Sequence, residues 1–415
     1  DCCPCSIGEG VGGNIKMGNF YRDLLSATLL VLLPLAAVVA VMLVFSGVPM
    51  TLEGTVIAKT LEGAVQSIAR GPVAAMIAIK QLGTNGGGFF GPNSTHPFEN
   101  PTFFTNIVEC VSILIIAMAS VWMFGRIIGR MRHAAVIFGV MAVLLIGNVS
   151  LAVYFESAPT ATFNGIPVES ASENLEGKEL RFGSSAGPLW AAATTATSNG
   201  SVNCMHDSLN PLTGLVPLIG MWLNVIFGGV GVGLINMFIY IIVGVFICGM
   251  MVGRTPEYLT RKVETSEMKL ALLALLVHPL FILGGTALFS MTSWGANTVL
   301  NQGIHGFTEI LYEFSSAAAN NGSGFEGLGD NTVPWNLATG IVMLLARYIP
   351  IILPLAIAGS LAAKKPTPET TGTFRADTLL FGLVMLGSVI FIGALLFLPA
   401  AVLGPIAEHL ATKGL

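Results

Sequence analysis

The 415-residue chain is 53% hydrophobic and only 10% charged, and its mean hydropathy of +0.77 exceeds what a soluble core can hide. A formal net charge of −4 points to neither a nucleic-acid surface nor an acidic tail. What remains is an integral protein of the lipid bilayer, with no nucleic acid among its partners.

A membrane helix needs roughly 20 apolar residues. Such runs occupy 24–48, 103–125, 134–154, 212–253, 270–291, 337–363 and 378–403. The fourth carries no charge, yet as one straight helix it would extend about 63 Å, twice the hydrocarbon core. It must break or double back. Basic residues decide between these. Arg126, Arg130 and Arg132, then Arg254, Arg261, Lys262 and Lys269, then Lys364, Lys365 and Arg375 mark three cytoplasmic loops, so the run crosses an odd number of times. One helix interrupted over 227–236, around Phe227-Gly228-Gly229-Val230-Gly231-Val232-Gly233, satisfies that parity, because glycine lets the backbone leave the helix beside a protein-lined cavity. The expectation is an all-α membrane protein of about seven spans, N-terminus inside and C-terminus outside.

Three further stretches, 71–82, 188–197 and 306–319, are too short to cross and are predicted as re-entrant pore helices. Each ends in nearly the same word: Thr84-Asn85-Gly86-Gly87-Gly88-Phe89, Ser198-Asn199-Gly200-Ser201-Val202-Asn203 and Asn320-Asn321-Gly322-Ser323-Gly324-Phe325. Asn100-Pro101 and Asn210-Pro211 follow two of the words closely, and Pro334-Trp335-Asn336 follows the third. Helix, re-entrant loop, helix is thus repeated over 24–125, 126–253 and 254–363, between a cytoplasmic segment 1–23 and a last portion 364–415 made of a loop, a span and an outer tail.

Glycine-rich backbone that ends a short helix at membrane depth replaces the water shell of a cation with carbonyl oxygens, and the helix C-terminus favours a cation over an anion. Asn-Gly is also a common tight-turn dipeptide, and a single such loop is ordinarily a connector. Three in register are not explained that way. Potassium sheds its hydration shell more cheaply than sodium, and the words carry no carboxylate ring suited to a divalent ion. K+ bound by Thr84, Asn85, Gly86, Gly87, Ser198, Asn199, Gly200, Asn320, Asn321 and Gly322 is therefore expected. A ring closes best with four loops, and a chain that starts without initiator Met or signal-peptide pattern leads us to expect a further repeat upstream. Among the six cysteines, Cys110 and Cys248 sit in apolar segments as small core residues, while Cys2-Cys3-Pro4-Cys5 has neither a second cluster nor a nearby histidine to complete a metal site.

Longer words carry a resemblance over essentially the whole chain. They include Leu82-Gly83-Thr84-Asn85-Gly86-Gly87-Gly88-Phe89-Phe90, Ser94-Thr95-His96-Pro97-Phe98-Glu99-Asn100-Pro101-Thr102, Met205-His206-Asp207-Ser208, Phe227-Gly228-Gly229-Val230-Gly231 and Gly253-Arg254-Thr255-Pro256-Glu257-Tyr258-Leu259. In these the chain resembles the A-subunit family of the Kdp potassium-transporting ATPases. The resemblance implies four helix–loop–helix repeats of the potassium transporter superfamily with an extra helix at each end, of which this chain shows the second, third and fourth repeats. It implies a bacterial plasma (inner) membrane location and a potassium filter in the A subunit. It also implies sideways passage of the ion to the B subunit, a P-type ATPase, with small C and F subunits completing the complex. The chain carries no Walker A loop and no Asp-Lys-Thr-Gly phosphorylation motif, and Glu369-Thr370 stand before Thr371-Gly372-Thr373 where Asp-Lys is needed. No ATP site and no catalytic residue are expected here; energy comes from a partner.

Arg347 lies in the middle of the 337–363 run, where a buried guanidinium is expensive. An ion pair or a cap on broken-helix carbonyls accounts for it structurally; by resemblance it sits below the filter and repels potassium from straight passage. The break at Gly228, Gly229 and Gly231 resembles the family's intramembrane gating loop, and Asn224 stands just before it where some relatives are acidic, which removes a carboxylate partner for Arg347. Glu99, His206, Asp207, Glu326 and Asp330 flank the words, either drawing cations to the mouth or orienting the loops. His278, before Pro279, reads as a core residue that satisfies a bend, and the glutamate-rich 156–181 reads as a solvated outer loop. A stand-alone Trk/Ktr/HKT-like potassium channel or transporter shares the repeat plan and is the alternative. A sodium-coupled transporter of inverted repeats fits less well, because it needs broken spanning helices around a central site.

Overall fold

A computed structural model of the protein describes residues 19–159, 173–253, 255–367 and 374–412. The Cys2, Cys3 and Cys5 cluster, Arg254, and the stretch from Glu369 to Thr373 lie outside the described residues. In chain order the helices are α1 Phe20–Phe45, α2 Val73–Leu82, α3 Phe103–Ile127, α4 Met131–Glu156, α5 Gly183–Ala196 and α6 Pro211–Leu223. They continue with α7 Val232–Val252, α8 Thr265–Met291, α9 Ile304–Ala319, α10 Val333–Ala363 and α11 Leu379–Thr412. Among the described residues seven helices, α1, α3, α4, α7, α8, α10 and α11, are long and apolar enough to cross a membrane, which makes this an all-α membrane protein.

Polar residues at the helix ends set where these runs begin. Thr102 forms a capping box with Thr105 ahead of α3, and Glu264 does the same with Glu267 ahead of α8, so the first N–H groups find acceptors. Pro211 occupies the first turn of α6, where its missing N–H costs nothing, and the Thr378 hydroxyl accepts the Phe381 N–H at 3.2 Å at the start of α11.

The repeat plan is visible in the packing. The short helix α2 lies against α1 and α3, α5 against α4 and α6, and α9 against α8 and α10. The last span, α11, closes the bundle against α4, α6, α7 and α8. The interruption expected over 227–236 runs instead from Asn224 to Gly231. Asn224 takes a left-handed φ of +47° and ends α6 before the glycines are reached; Gly231, at φ +83°, opens α7. Gly233 stays helical, and its lack of a side chain serves a different need: a Cβ there would overlap the Phe227 backbone.

One end of the bundle gathers all three basic loops. His133 bonds the Ala376 carbonyl and the Tyr258 hydroxyl, each at 2.8 Å, the Thr367 N–H reaches Thr260 O at 2.8 Å, and Lys364 pairs with Glu267 at 2.7 Å and Glu264 at 3.0 Å. Within this end, β3 (Glu257–Tyr258) pairs antiparallel with β4 (Arg261–Lys262). The opposite end carries an exposed hairpin that the sequence reading missed, β1 (Val56–Lys59) on β2 (Val65–Ile68). That end also corrects the expectation of a wholly solvated 156–181 loop: Glu156 and Lys178 form an ion pair at 2.5 Å with both side chains 1% exposed. The outward apolar side chains of α1 and α10, among them Leu30, Leu337 and Leu344, form the face a bilayer covers.

Helices α8 and α9 approach so closely at Gly285 that a Cβ would overlap the Phe314 ring, whereas neighbouring Gly284 has open space around it. Gly285→Ala is expected to destabilise the purified protein by about 1–3 kcal/mol through overpacking, and Gly284→Ala to leave the thermal midpoint within a degree or so of the parent. Equal midpoints for both variants would contradict this packing.

Candidate functional site

The three short helices end in the same way. Each has a non-glycine residue in the left-handed region directly after or at its C-cap, Thr84 (φ +49°), Ser198 (φ +51°) and Asn320 (φ +52°). The next N–H then folds back onto the helix: Asn85 N to Lys80 O, Asn199 N to Thr194 O and Asn321 N to Ser316 O, all at 2.9 Å. Helix C-termini leave carbonyls without intrahelical partners, and here this turn satisfies one of them in each helix.

The words stand side by side. A Cβ on Gly86 would lie 2.5 Å from Asn199 O and 2.7 Å from the Gly200 carbonyl carbon; a Cβ on Gly200 would overlap Asn321 O. Their asparagines tie each word to the preceding short helix, Asn199 Nδ2 to Lys80 O at 3.5 Å and Asn321 Nδ2 to Thr194 O at 2.9 Å. Asn199 and Asn321 are buried by this arrangement. At the two ends of the arc the pattern stops: Asn85 is exposed, and among the described residues no atom lies within 4 Å of a Cβ placed on Gly322 or Gly87.

Beneath the arc lies a cavity of about 320 Å³ whose wall includes Thr84, Asn85, Gly86, Ser198, Asn199, Asn320 and Asn321 together with Asn224, Gly229 and Arg347. The remaining expected residues, Gly87, Gly200, Gly322, Gly228 and Gly231, are near but not on that wall. The break between α6 and α7 packs directly under the first two words: Gly228 N donates to Ala196 O at 3.0 Å, Val230 N to the Thr84 hydroxyl at 3.3 Å, and the Ser198 hydroxyl to Asn224 Oδ1 at 3.1 Å. His278 donates from Nε2 to Met221 O at 3.0 Å and so occupies a carbonyl in the last turn of α6, not one freed by the Pro279 bend of its own helix. Arg347 requires a correction. Its side chain is exposed to the cavity rather than buried, and it donates from Nε to Asn320 Oδ1 at 3.2 Å; among the described residues no carboxylate pairs with it.

Around the mouth, charges act within the protein. Glu99 is fully buried and paired with Lys80 at 2.8 Å; His206 is fully buried, with its backbone N–H on Glu326 at 2.8 Å and its ring Nδ1 on the Tyr312 hydroxyl at 2.9 Å. Asp330, by contrast, is exposed at the surface. Asp207, His305 and Glu309 are close enough to hold a cation, but Glu309 already accepts from Leu300 N and Asn301 N at 3.0 Å each, and both His305 nitrogens are bonded. Sequence reasoning missed Lys80, Gln81, Asn93 and Glu109, a polar set behind the first word; its signal was a lysine inside an apolar segment with Glu99 and Glu109 following.

The fold and site define a multi-pass membrane protein whose three short helices end around one cavity. The family described as Potassium-transporting ATPase A subunit matches residues 10–410, and the chain belongs to that family. The potassium-binding subunit of the potassium-transporting ATPase of Geobacillus kaustophilus (strain HTA426) is 50% identical over 397 residues, which is 96% of this chain and 71% of that protein.

His305 ties the start of α9 to Asp207 at 3.0 Å and, across a kink at Gly404, to Glu408 at 2.8 Å. Burial alone would lower its pKa, but the two carboxylates outweigh that and push it up to about 10 from 6.5. A raised value contributes stability that is complete below about pH 6.5 and is lost as pH climbs toward 10. The thermal midpoint should therefore fall between pH 6.5 and 10, and His305→Gln should flatten that fall while lowering the midpoint below the parent's on the acid side. A variant with the parent's pH profile would contradict the assignment.

Proposed function

We propose that the chain supplies three walls of a carbonyl filter that binds extracellular potassium for an ATP-driven, high-affinity uptake complex of the bacterial inner membrane, and passes the ion on to the P-type ATPase B subunit, with small C and F subunits completing the assembly. The observation that carries this reading is the packing of Gly86 on Asn199 and of Gly200 on Asn321, which brings three helix C-termini to one cavity. Neutral carbonyls and helix-end dipoles suit a monovalent cation, and the relative's name describes a potassium-binding subunit. The arc takes a fourth wall between exposed Asn85 and open Gly322 to surround the ion.

Below the filter, the guanidinium of Arg347 and the loop from Asn224 to Gly231 obstruct straight passage, the first by charge and the second by bulk. A cation held above them has a sideways exit as its remaining route, which matches transfer to a neighbouring subunit.

In the complete complex, Gly86→Asp, Gly200→Asp or Gly322→Asp is expected to raise the potassium half-saturation concentration about tenfold, ~1.4 kcal/mol, or to admit sodium. Uptake kinetics and sodium exclusion identical to the parent in all three would remove the filter. Arg347→Ala is expected to open an ATP-independent potassium leak in proteoliposomes that the parent lacks. A tight variant would argue against electrostatic obstruction at this position.

A further inference from the structure

The second and third words share a support that the first lacks. The Thr194 hydroxyl accepts the Gly200 N–H, and the Ser316 hydroxyl accepts the Gly322 N–H, each at 2.9 Å. Both residues stand five places before the asparagine of their word, the place held by Lys80 in the first repeat. An ammonium has three donors and no lone pair, so it cannot serve the Gly86 N–H in the same manner.

Lys80 is instead engaged in full. Its Nζ donates to Asn93 Oδ1 at 2.8 Å, to Ser94 Oγ at 3.1 Å and to Glu99 Oε2 at 2.8 Å, with its side chain 5% exposed and that of Glu99 fully buried. The ammonium fixes which end of the Asn93 amide faces it, and the other end, Nδ2, donates to Gly86 O at 3.2 Å. Asn93 itself sits at φ +62°, a conformation asparagine tolerates better than most residues. Packing holds the Gly86–Gly87 peptide on one side only: Gly86 lies against Asn199 and Gly200, whereas a Cβ on Gly87 would meet nothing within 4 Å and Asn85 is exposed. On the open side, where neither glycine has a side chain to resist rotation, the amide of Asn93 holds that carbonyl.

We propose that Lys80 is a positioning residue for ion selection, acting through Asn93 to fix the Gly86 carbonyl and with it the discrimination between potassium and the larger rubidium ion. This rests on the carbonyl-filter reading above. Glu99 anchors the ammonium from the far side and accepts the Phe90 N–H at 2.8 Å through its other oxygen, so the ion pair also ties down the start of the loop's return. The contact that reaches the first word is a neutral amide at 3.2 Å, longer than the hydroxyl contacts of 2.9 Å in the other two, and the charge-assisted bonds of Lys80 stand one step behind it to fix the amide.

The test uses the complete complex carrying Asn93→Gly, Lys80→Met, both together, and Gly200→Asp as a filter control, with uptake of potassium and rubidium measured under ATP. Asn93→Gly removes the amide while keeping a residue at home in the left-handed region, so it reads the proposal even if Lys80→Met, which strands Glu99, fails to accumulate. Expected is a rise of about fivefold in potassium half-saturation and a loss of preference over rubidium at unchanged maximal rate. The double variant should be no worse than the single ones, because both cut one series of contacts. Should Gly200→Asp shift selectivity while Asn93→Gly does not, or should the two single effects add in full, the link is overturned and the filter stands. Parent-like selectivity in every variant overturns both.

Discussion

Backbone meeting backbone is the constraint from which the site follows. Neither Gly86 nor Gly200 has room for a Cβ, because the next word's carbonyl occupies that space. Ordinary side chains would push the words apart by the width of a methyl group or more, and the asparagine bonds to Lys80 O and Thr194 O would be lost with them. Those bonds matter because the last carbonyls of a helix need partners from outside it. Each word thus completes the helix before it, and the arc propagates from one repeat to the next.

This dependence explains why the break in the second repeat lies where it does. Asn224 ends α6 in a left-handed turn and holds the Ser198 hydroxyl, while Val230 reaches the Thr84 hydroxyl. The loop is therefore seated on two words at once, and movement of it would disturb both. Gly228 and Gly233 make the tight return possible, since a Cβ on either would overlap the other's strand of backbone.

Much of the fold was legible in the sequence because membrane length is a simple constraint. The apolar runs found the seven spans seen among the described residues, and a charge-free stretch too long for the bilayer announced the break. Its position was less legible: the glycine run marks where the chain needs freedom, but the helix ends ahead of it, at the left-handed turn of Asn224. The three words were readable as repeats, yet their different supports were not. Lys80 looks like an interruption of an apolar helix until Glu99, Asn93 and Ser94 are seen around it. Arg347 misled for the opposite reason. A charge in an apolar run implies burial only when the run faces protein or lipid on every side, and this one faces a cavity.

Three repeats with one plan have come to differ where equivalence would be least useful. A ring of identical supports would stiffen every wall alike, whereas here hydroxyls hold the second and third words and an ion pair stands behind the first. The loop from Asn224 to Gly231 bonds to the first two words, and Arg347 bonds to the third, through Asn320. In the proposed filter, potassium entering from the mouth meets near-equivalent carbonyls, but below them it meets bulk on one side and positive charge on another. On the proposed function, selection asks for symmetry and diversion asks for its absence; keeping the words alike while varying what stands behind them is compatible with both.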